Sequence, residues 1–493
     1  MAEVIDVLLI NPGDHKRVYQ ALGDEFAGIE PPVFAGLFAT YLQRQGLRVA
    51  IYDVPAVRES AEEAVAAMLA QYRPTLSVLV VYGLQPSAST QNMASASKIA
   101  HLLREGSDTR ILMTGTHPAA LPERTMREEE VDFVCDREGP ITIAKTFAAI
   151  AAGLDDFSGI PSLWSRHNGA IIPPVSQEGL ITDLDGQMPG VAWDLLDMSR
   201  YRAHNWHCFD HIDARAPYAS IHTSLGCPYR CNFCCINAPF GKPSYRMWSP
   251  ESVVREIDLL VERYGVRNIK FVDEMFVLNR RHVLSICDLL IQRGHDLNIW
   301  AYARVDTVKD DMLDQLRAAG FNWLCLGIES SSTDVRDGAD KVFNNEDITR
   351  VVRKIQAAGI RVLGNYIFGL PDDTPERMRE TLDMALELNC EFANFYSAMA
   401  YPGSALYRIA EQSGQPLPSD WSGYSQHAFH SLPIANRHLT SAEILRFRDQ
   451  AFQTYFTAPS YLRMVQEKFG PAVVDHIARM VAIPLPRQIY TAD

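Results

Sequence analysis

Three cysteines in the stretch GCPYRCNFCC, Cys227, Cys231 and Cys234, follow a CxxxCxxC spacing, with Phe233 directly before the last. Three thiolates can hold three irons of a cubane iron–sulfur cluster and leave the fourth iron open. An electron-transfer cluster closes that position with a fourth cysteine. The spacing therefore points to a cluster whose open iron binds and reduces something. A structural zinc site usually takes four ligands in two pairs, and no second pair accompanies these three. His222 and Cys235 are the nearby candidates for a fourth ligand; Cys235 directly follows Cys234, which strains a shared tetrahedron. The chain has 9 cysteines, an odd number, and no secretory signal, which argues against a disulfide framework. Cys135, Cys208, Cys287, Cys325 and Cys390 read as buried small apolar residues. Cys235 packs beside the cluster or acts in the active site.

A chain of 493 residues has room for roughly two to four domains. Its 47% hydrophobic and 22% charged residues are the balance of a globular protein. The net charge of −14 disfavours general nucleic-acid binding, which needs a basic face. It leaves room for an anionic substrate held by a few local arginines. The opening MAEVIDVLLINPGD reads as a strand, because acids flank its apolar run and Asn-Pro ends it. No apolar run reaches the roughly 18–20 residues of a membrane span. The expected location is the cytoplasm, where thiols stay reduced.

The cluster motif must sit on something rigid. Strand-like runs at 218–224, 269–274, 299–304, 323–329, 361–369 and 392–399 alternate with helical periodicity at 250–264, 280–293, 309–319, 346–358, 375–389 and 404–413. Six βα units fall short of the eight of a full barrel, so a partial (βα)6 barrel is expected over 218–414. Its working residues would lie at the carboxyl ends of the strands, and the cysteines follow the first strand directly. Upstream, strands at 7–10, 49–53, 78–83, 111–115 and 132–134 alternate with helices at 33–45, 60–71 and 90–104. This is the pattern of an open, doubly wound α/β sheet over 1–150. Such sheets bind ligands at their strand carboxyl ends, here the loops 11–16, 82–87 and 115–123. No GxGxxG follows the first strand, so a dinucleotide is not expected. Residues 151–217 read as a linker. Residues 415–493 read as a helical cap with one helix over 440–457 and another over 459–480; Trp421, Tyr424, His427 and His430 are candidate pocket residues.

The cysteine motif at the head of a six-unit βα array resembles the radical S-adenosylmethionine superfamily. In the first domain, LLINP, then PPVFAGLFATYLQRQG, then GTHPAALPE with DREGP resemble, in that order, the cobalamin-binding domain that precedes many such enzymes. VAWDLLDMSRYR (191–202) resembles the bridge between the two. The resemblance implies a 4Fe–4S cluster on Cys227, Cys231 and Cys234, together with S-adenosylmethionine and cobalamin. It places Asp273 or Glu274 at the methionine amino group and Phe233 beside the cofactor. Arg304 is implied at the cofactor carboxylate, and Glu329 near ribose and carboxylate. Asn365 and Pro371 fall in the fifth-strand segment whose Gly-Leu-Pro backbone lies near adenine. Gly115, Thr116, His117 and Glu138 are implied at the corrin. Asp373 or Thr374 read as a helix cap ahead of Pro375. Many cobalamin domains carry DxHxxG after the first strand; here Asp14 and His15 are adjacent with no glycine at the offset, so His15 reads as a loop histidine and the lower face of cobalt as free of a protein imidazole.

The resemblance implies an enzyme, a C- or P-methyltransferase that acts on a small molecule or natural-product intermediate through methylcobalamin and a 5′-deoxyadenosyl radical. It also implies an electron donor such as flavodoxin or ferredoxin. The alternative within the family is an oxidative cyclase or ring-rearranging enzyme. Outside it stand a non-catalytic corrinoid-binding protein and a zinc-stabilised scaffold. Methylthiotransferases need three further N-terminal cysteines, and only Cys135 is there.

Overall fold

The computed structural model describes residues 2–339 and 344–491. The first sheet begins with β1 (Glu3–Asn11), β2 (Val49–Asp53), β3 (Tyr72–Val81), β4 (Arg110–Gly115) and β5 (Phe133–Cys135). These pair in parallel in the order β2-β1-β3-β4-β5. Val7 and Leu9 pack under the helices Val33–Arg44 and Pro140–Ala151, while Leu8 and Ile10 pack under Ala61–Gln71 and Pro86–Gly106. Burial on both faces is why β1 reads as an unbroken apolar run. Strand order reverses between β1 and β3, and the loops after them open a crevice at that switch point.

The expected linker over 151–217 is partly sheet. Strands β6 (Leu163–His167) and β7 (Ala170–Ile172) add antiparallel beyond β5 and bring the sheet to seven strands. Asn168 and Gly169 join them at φ of 50° and 81°, the two-residue turn whose twist suits a hairpin. That dipeptide is the sequence signal for it. The strands themselves are short and partly exposed, so their apolar pattern is weak.

The second sheet starts with β8 (Tyr218–Ile221). A small antiparallel pair, β9 (Ser224–Leu225) and β10 (Arg246–Met247), follows and brackets the cysteine loop. Then come β11 (Asn268–Phe271), β12 (Asn298–Arg304), β13 (Phe321–Glu329), β14 (Arg361–Phe368) and β15 (Phe392–Ser397). Strands β8 and β11–β15 pair in parallel with their sequence neighbours and make the six-stranded half-barrel. The connecting helices carry local start and stop signals. Pro250–Tyr264, for example, has Ser249 as its N-cap, Pro250 in its first turn and Gly265 at φ 65° behind it. Thr374 caps Pro375–Leu388 through Arg377 N.

The C-terminal cap corrects one further expectation. Ser441–Phe456 is one helix, closed at its start by a Thr440–Glu443 capping box. The span 459–480 is two helices, Pro459–Phe469 and Pro471–Val481, because Gly470 at φ 85° ends one and Pro471 starts the next. Among the described residues, no helix is long and apolar enough to cross a membrane.

Three polar ties fix the two sheets to each other. Glu30 accepts from Lys270 Nζ at 3.0 Å and from Tyr218 Oη at 2.9 Å inside the half-barrel, with His204 Nε2 at 3.7 Å. Glu138 pairs with Arg246 of β10 at 2.7 Å and accepts from Ile181 N at 3.0 Å. Gln85 Nε2 donates to Tyr302 Oη at 2.7 Å.

The carboxyl end of β4 leaves no room at Gly115, where φ is 141° and a Cβ would stand 2.0 Å from Val81 O. Gly46 also has positive φ, 84°, but open space around it. Gly115→Ala should cost about 2–5 kcal/mol from strain and overlap, and Gly46→Ala about 1–2 kcal/mol from backbone strain alone. Thermal melting of the two variants tests this: the Gly115 variant should melt well below the Gly46 variant.

Candidate active site

The cysteine loop leaves β9 through Gly226 at φ 86° and returns into β10. It is pinned from outside by two bonds and from within by a third. Leu406 N donates to Asn232 O at 2.9 Å, Asn232 Nδ2 to Gly338 O at 2.6 Å and Asn237 Nδ2 to Tyr229 O at 3.1 Å. Cys234 N donates to Cys231 O at 3.0 Å, so a turn separates the last two thiols of the triad. Phe233 packs on the apolar cluster around Leu370, Ala398 and Tyr407. All nine cysteines are free. Burial pushes the Cys227 thiol up to about 12 and raises that of Cys234; thiolates here need a cationic partner, which a cluster supplies. Among the described residues, no three His, Cys, Asp or Glu side chains converge as ligands of a single ion. A cubane takes one thiolate per iron and asks for separated thiols instead. The chemistry of this loop, three free thiols on a pinned backbone, fits such a group.

The strand ends around the loop differ in kind. Asp273 is fully buried and accepts from Thr223 N and Thr223 Oγ1, the latter at 2.8 Å, and from Ser224 Oγ at 2.5 Å. It ties β11 to the residues ahead of the cysteine loop and does not line the cavity. Its neighbour Glu274 does line it, and burial pushes that carboxyl up to about 8. Arg304 ends β12, pairs with Asp306 and lies 4.1 Å from the ring of Tyr229 in the cysteine loop. Glu329 ends β13 at φ 65°, beside a register shift in the ladder. A bulky side chain held there is strained, and such strain clusters at functional sites. Asn365 of β14 donates to Cys325 Sγ at 2.9 Å and accepts from Asn394 Nδ2 at 3.0 Å. Pro371 sits in a turn held by Asp373, which accepts from Gly369 N at 2.9 Å; it does not line the cavity.

That cavity, about 400 Å³, is where the elements meet. Cys234, Cys235 and Glu274 border it from the cluster side, Tyr19, Gln85 and Ser87 from the first sheet, and Gln426, His427 and Arg448 from the cap. Trp206, Trp300 and Phe392 form its floor, with Trp206 5.0 Å from Trp300 between ring centres. Of the cap candidates, only His427 lines this cavity. Tyr424 packs on Tyr401, His430 Nδ1 meets Gln488 Oε1 at 2.6 Å, and Trp421 lies against His117. Trp300, Tyr302 and Arg304 alternate along β12, as do Phe392, Asn394 and Tyr396 along β15. Trp300 and Tyr302 border the cavity from β12, whereas the whole run 392–398 borders it from β15; Arg448, Gln426 and Gln85 come from helices and loops and carried no strand signal.

The first-sheet residues also sort by geometry. Pro12, Gly13, Asp14 and His15 face Tyr82–Gln85 across the switch-point crevice, with Phe34 between. Thr116 borders a small gap with Tyr82, His222 and Glu274. His117 is turned inward, with Nδ1 3.2 Å from Thr90 Oγ1, and burial pushes it down to about 3. The Glu138 carboxylate, expected at the corrin, is engaged by Arg246 of β10 and by Ile181 N.

A model of the B12 binding domain matches residues 19–146, and one of the radical SAM superfamily matches residues 221–385. Residues 221–385 are thus a radical SAM domain. This radical SAM enzyme carries a B12 binding domain, and the two domains imply its cofactor set: a 4Fe–4S cluster, S-adenosylmethionine and cobalamin. It is 27% identical to an uncharacterized methyltransferase of Pyrococcus horikoshii, over 93% of this chain and 94% of that protein. It is 25% identical to the anaerobic magnesium-protoporphyrin IX monomethyl ester cyclase of Rubrivivax gelatinosus, over 82% and 69%. In fold it is similar to the radical S-adenosylmethionine methyltransferase TsrM from Kitasatospora setae, with a TM-score of 0.68, 19% identity and 93% and 90% of the two chains covered.

The Glu30–Lys270 pair gives the radical SAM enzyme a pH signature. Burial alone would raise the Glu30 carboxyl; Lys270 and His204 outweigh it and hold it well below its usual range. The pair therefore stabilises the fold above about pH 4, and that contribution fades as pH falls further. Lys270→Met strands a buried carboxylate and should cost about 3–5 kcal/mol. Adding Glu30→Gln should recover most of the loss and flatten the acid limb. Denaturation midpoints across pH check both statements.

Proposed function

We propose that this protein is a cobalamin-dependent radical S-adenosylmethionine methyltransferase acting on an unactivated carbon, or a phosphinate phosphorus, of a small molecule. The observation that supports this most is the shared cavity: the last cysteine of the triad, Gln85 and Ser87 from the loop after β3, and the cap all border one space. When bound, the cluster with S-adenosylmethionine supplies a hydrogen-abstracting radical, and the corrin supplies a transferable methyl group. The chain's part is to hold, aim and exclude water. Cys227, Cys231 and Cys234 hold the cluster. Glu274 takes the methionine amino group, since Asp273 is committed elsewhere, and Arg304 takes the carboxylate. Glu329 and Asn365 receive the nucleoside, with Phe233 and the Gly369–Pro371 backbone against the adenine. Gly115 and Thr116 give the corrin a close backbone edge. Electrons come from a flavodoxin or ferredoxin in the cytoplasm.

A non-methylating oxidative cyclase is the second reading, favoured by the Rubrivivax gelatinosus relative. Product stoichiometry separates the two. On anaerobic reconstitution the chain should take up about four irons and one cobalamin. With substrate it should form S-adenosylhomocysteine and 5′-deoxyadenosine in equal amounts; 5′-deoxyadenosine alone defeats methylation in favour of the cyclase. Cys227→Ala, Cys231→Ala and Cys234→Ala should each lose the cluster absorbance and 5′-deoxyadenosine formation while keeping cobalamin uptake. Retention of radical chemistry in any of the three would overturn the cluster assignment.

A further inference from the structure

The cap delivers a guanidinium to the cavity. Arg448, on Ser441–Phe456, is 4% exposed and lines the cavity beside His427 and Tyr396. Its Nε donates to Phe395 O at 2.8 Å and its Nη1 to Asp449 Oδ1 at 2.8 Å. Its Nη2 has His427 Nδ1 at 3.5 Å, longer than a normal hydrogen bond. Asp449 is not its own. Both oxygens of that carboxylate also take Arg487, at 3.0 and 2.9 Å, and one takes Tyr490 Oη at 3.1 Å. Arg487 is 2% exposed.

Two buried guanidinium groups therefore share one carboxylate, which leaves one positive charge in excess at the cavity wall. The neighbouring imidazole does not add a charge, since burial and the two arginines hold His427 well below its usual range. A buried charge in excess is strongly unfavourable unless something pairs with it. The bond to Phe395 O explains a structural use for Nε, fastening the cap helix to β15. It explains neither the second charge nor the Nη edge beside His427. A guanidinium edge of this kind suits a planar or tetrahedral oxyanion. The same cavity is lined by the aromatic rings of Trp300, Phe392 and Phe452, the last with its centre 5.8 Å from the Arg448 guanidinium.

We propose that Arg448 is a substrate-binding residue and that the substrate is an acid: an apolar or aromatic body with one carboxylate or phosphate, the oxyanion seated on Arg448. Anchored from the cap, the body reaches toward the wall where Gln85, Cys234 and Glu274 meet. The inference rests on the methyltransferase reading for its choice of cavity, and it names the class of molecule that enters.

The test uses the full chain reconstituted with cluster and cobalamin, held with S-adenosylhomocysteine. Calorimetry compares aryl carboxylates with their amides (benzoate, indole-3-propionate and 2-naphthoate against the matched amides) and adds phenyl phosphate. At least one acid should bind about tenfold or more tighter than its amide, the worth of one good charged hydrogen bond. Arg448→Gln should erase the preference, Arg448→Lys should keep part of it, and both should leave S-adenosylhomocysteine affinity within about twofold. A carboxylate preference over phenyl phosphate identifies the acid as carboxylic, and the reverse as a phosphate ester. The proposal is overturned if no acid is preferred in the unaltered chain, if the preference survives Arg448→Gln, or if that variant weakens S-adenosylhomocysteine instead. Cluster and corrin absorbance are read on the same samples. Failure to load either one counts against the methyltransferase reading, whereas loaded protein without acid preference counts against Arg448 alone.

Discussion

Everything in this molecule depends on one carboxylate crossing from one sheet to the other. Glu30 leaves the first sheet's crevice and ends inside the half-barrel, against Lys270 and Tyr218. Lys270 is almost fully buried and Glu30 largely so, and little solvent is left to soften a mismatch. A small rotation between the sheets would separate it and leave two buried charges unpaired, which is strongly costly. The pair thus acts on orientation more than on stability. It sets the crevice at the end of β1 and β3 over the mouth of the half-barrel. The Glu138–Arg246 and Gln85–Tyr302 ties add contacts from the first sheet to β10 and β12.

Much of the fold was legible because its signals are local. Val49–Asp53 is an apolar run buried along its whole length, and Pro250–Tyr264 begins and ends at its own cap residues. The cysteine spacing was legible for the same reason: it lies within one loop. The corrections came where the signal was short or divided. The hairpin over 163–172 rests on one Asn-Gly turn, and the last helical stretch breaks at one Gly-Pro step. The site was less legible than the fold. Which of Asp273 and Glu274 faces the cavity depends on where Thr223 and Ser224 end up, fifty residues earlier in the chain. Glu138 belonged to a motif that suggested a cofactor, but its carboxylate is engaged by a residue from the other sheet.

The cavity combines two kinds of surface. Its polar wall is built from strand-end side chains that hold one another, such as the run Cys325–Asn365–Asn394 across three strands. Such a wall keeps its geometry without solvent, which suits chemistry that must exclude water. Its floor is aromatic and comes largely from residues outside the strand ends. Trp206 lies in the segment between the two sheets, so the same stretch that joins them also shapes what can enter. The cap adds the third side through His427, which meets Tyr19 of the short helix after β1 ring to ring at 5.7 Å.

The indole floor has an optical consequence. Trp206 stands 5.0 Å from Trp300 and 5.2 Å from Trp323, a buried trio directly beneath the cavity. Iron–sulfur clusters and corrins both absorb where indoles emit, so a chromophore bound in the cavity would quench this trio. The emission of this trio is therefore a built-in gauge of occupancy, dimming in steps as each coloured group arrives.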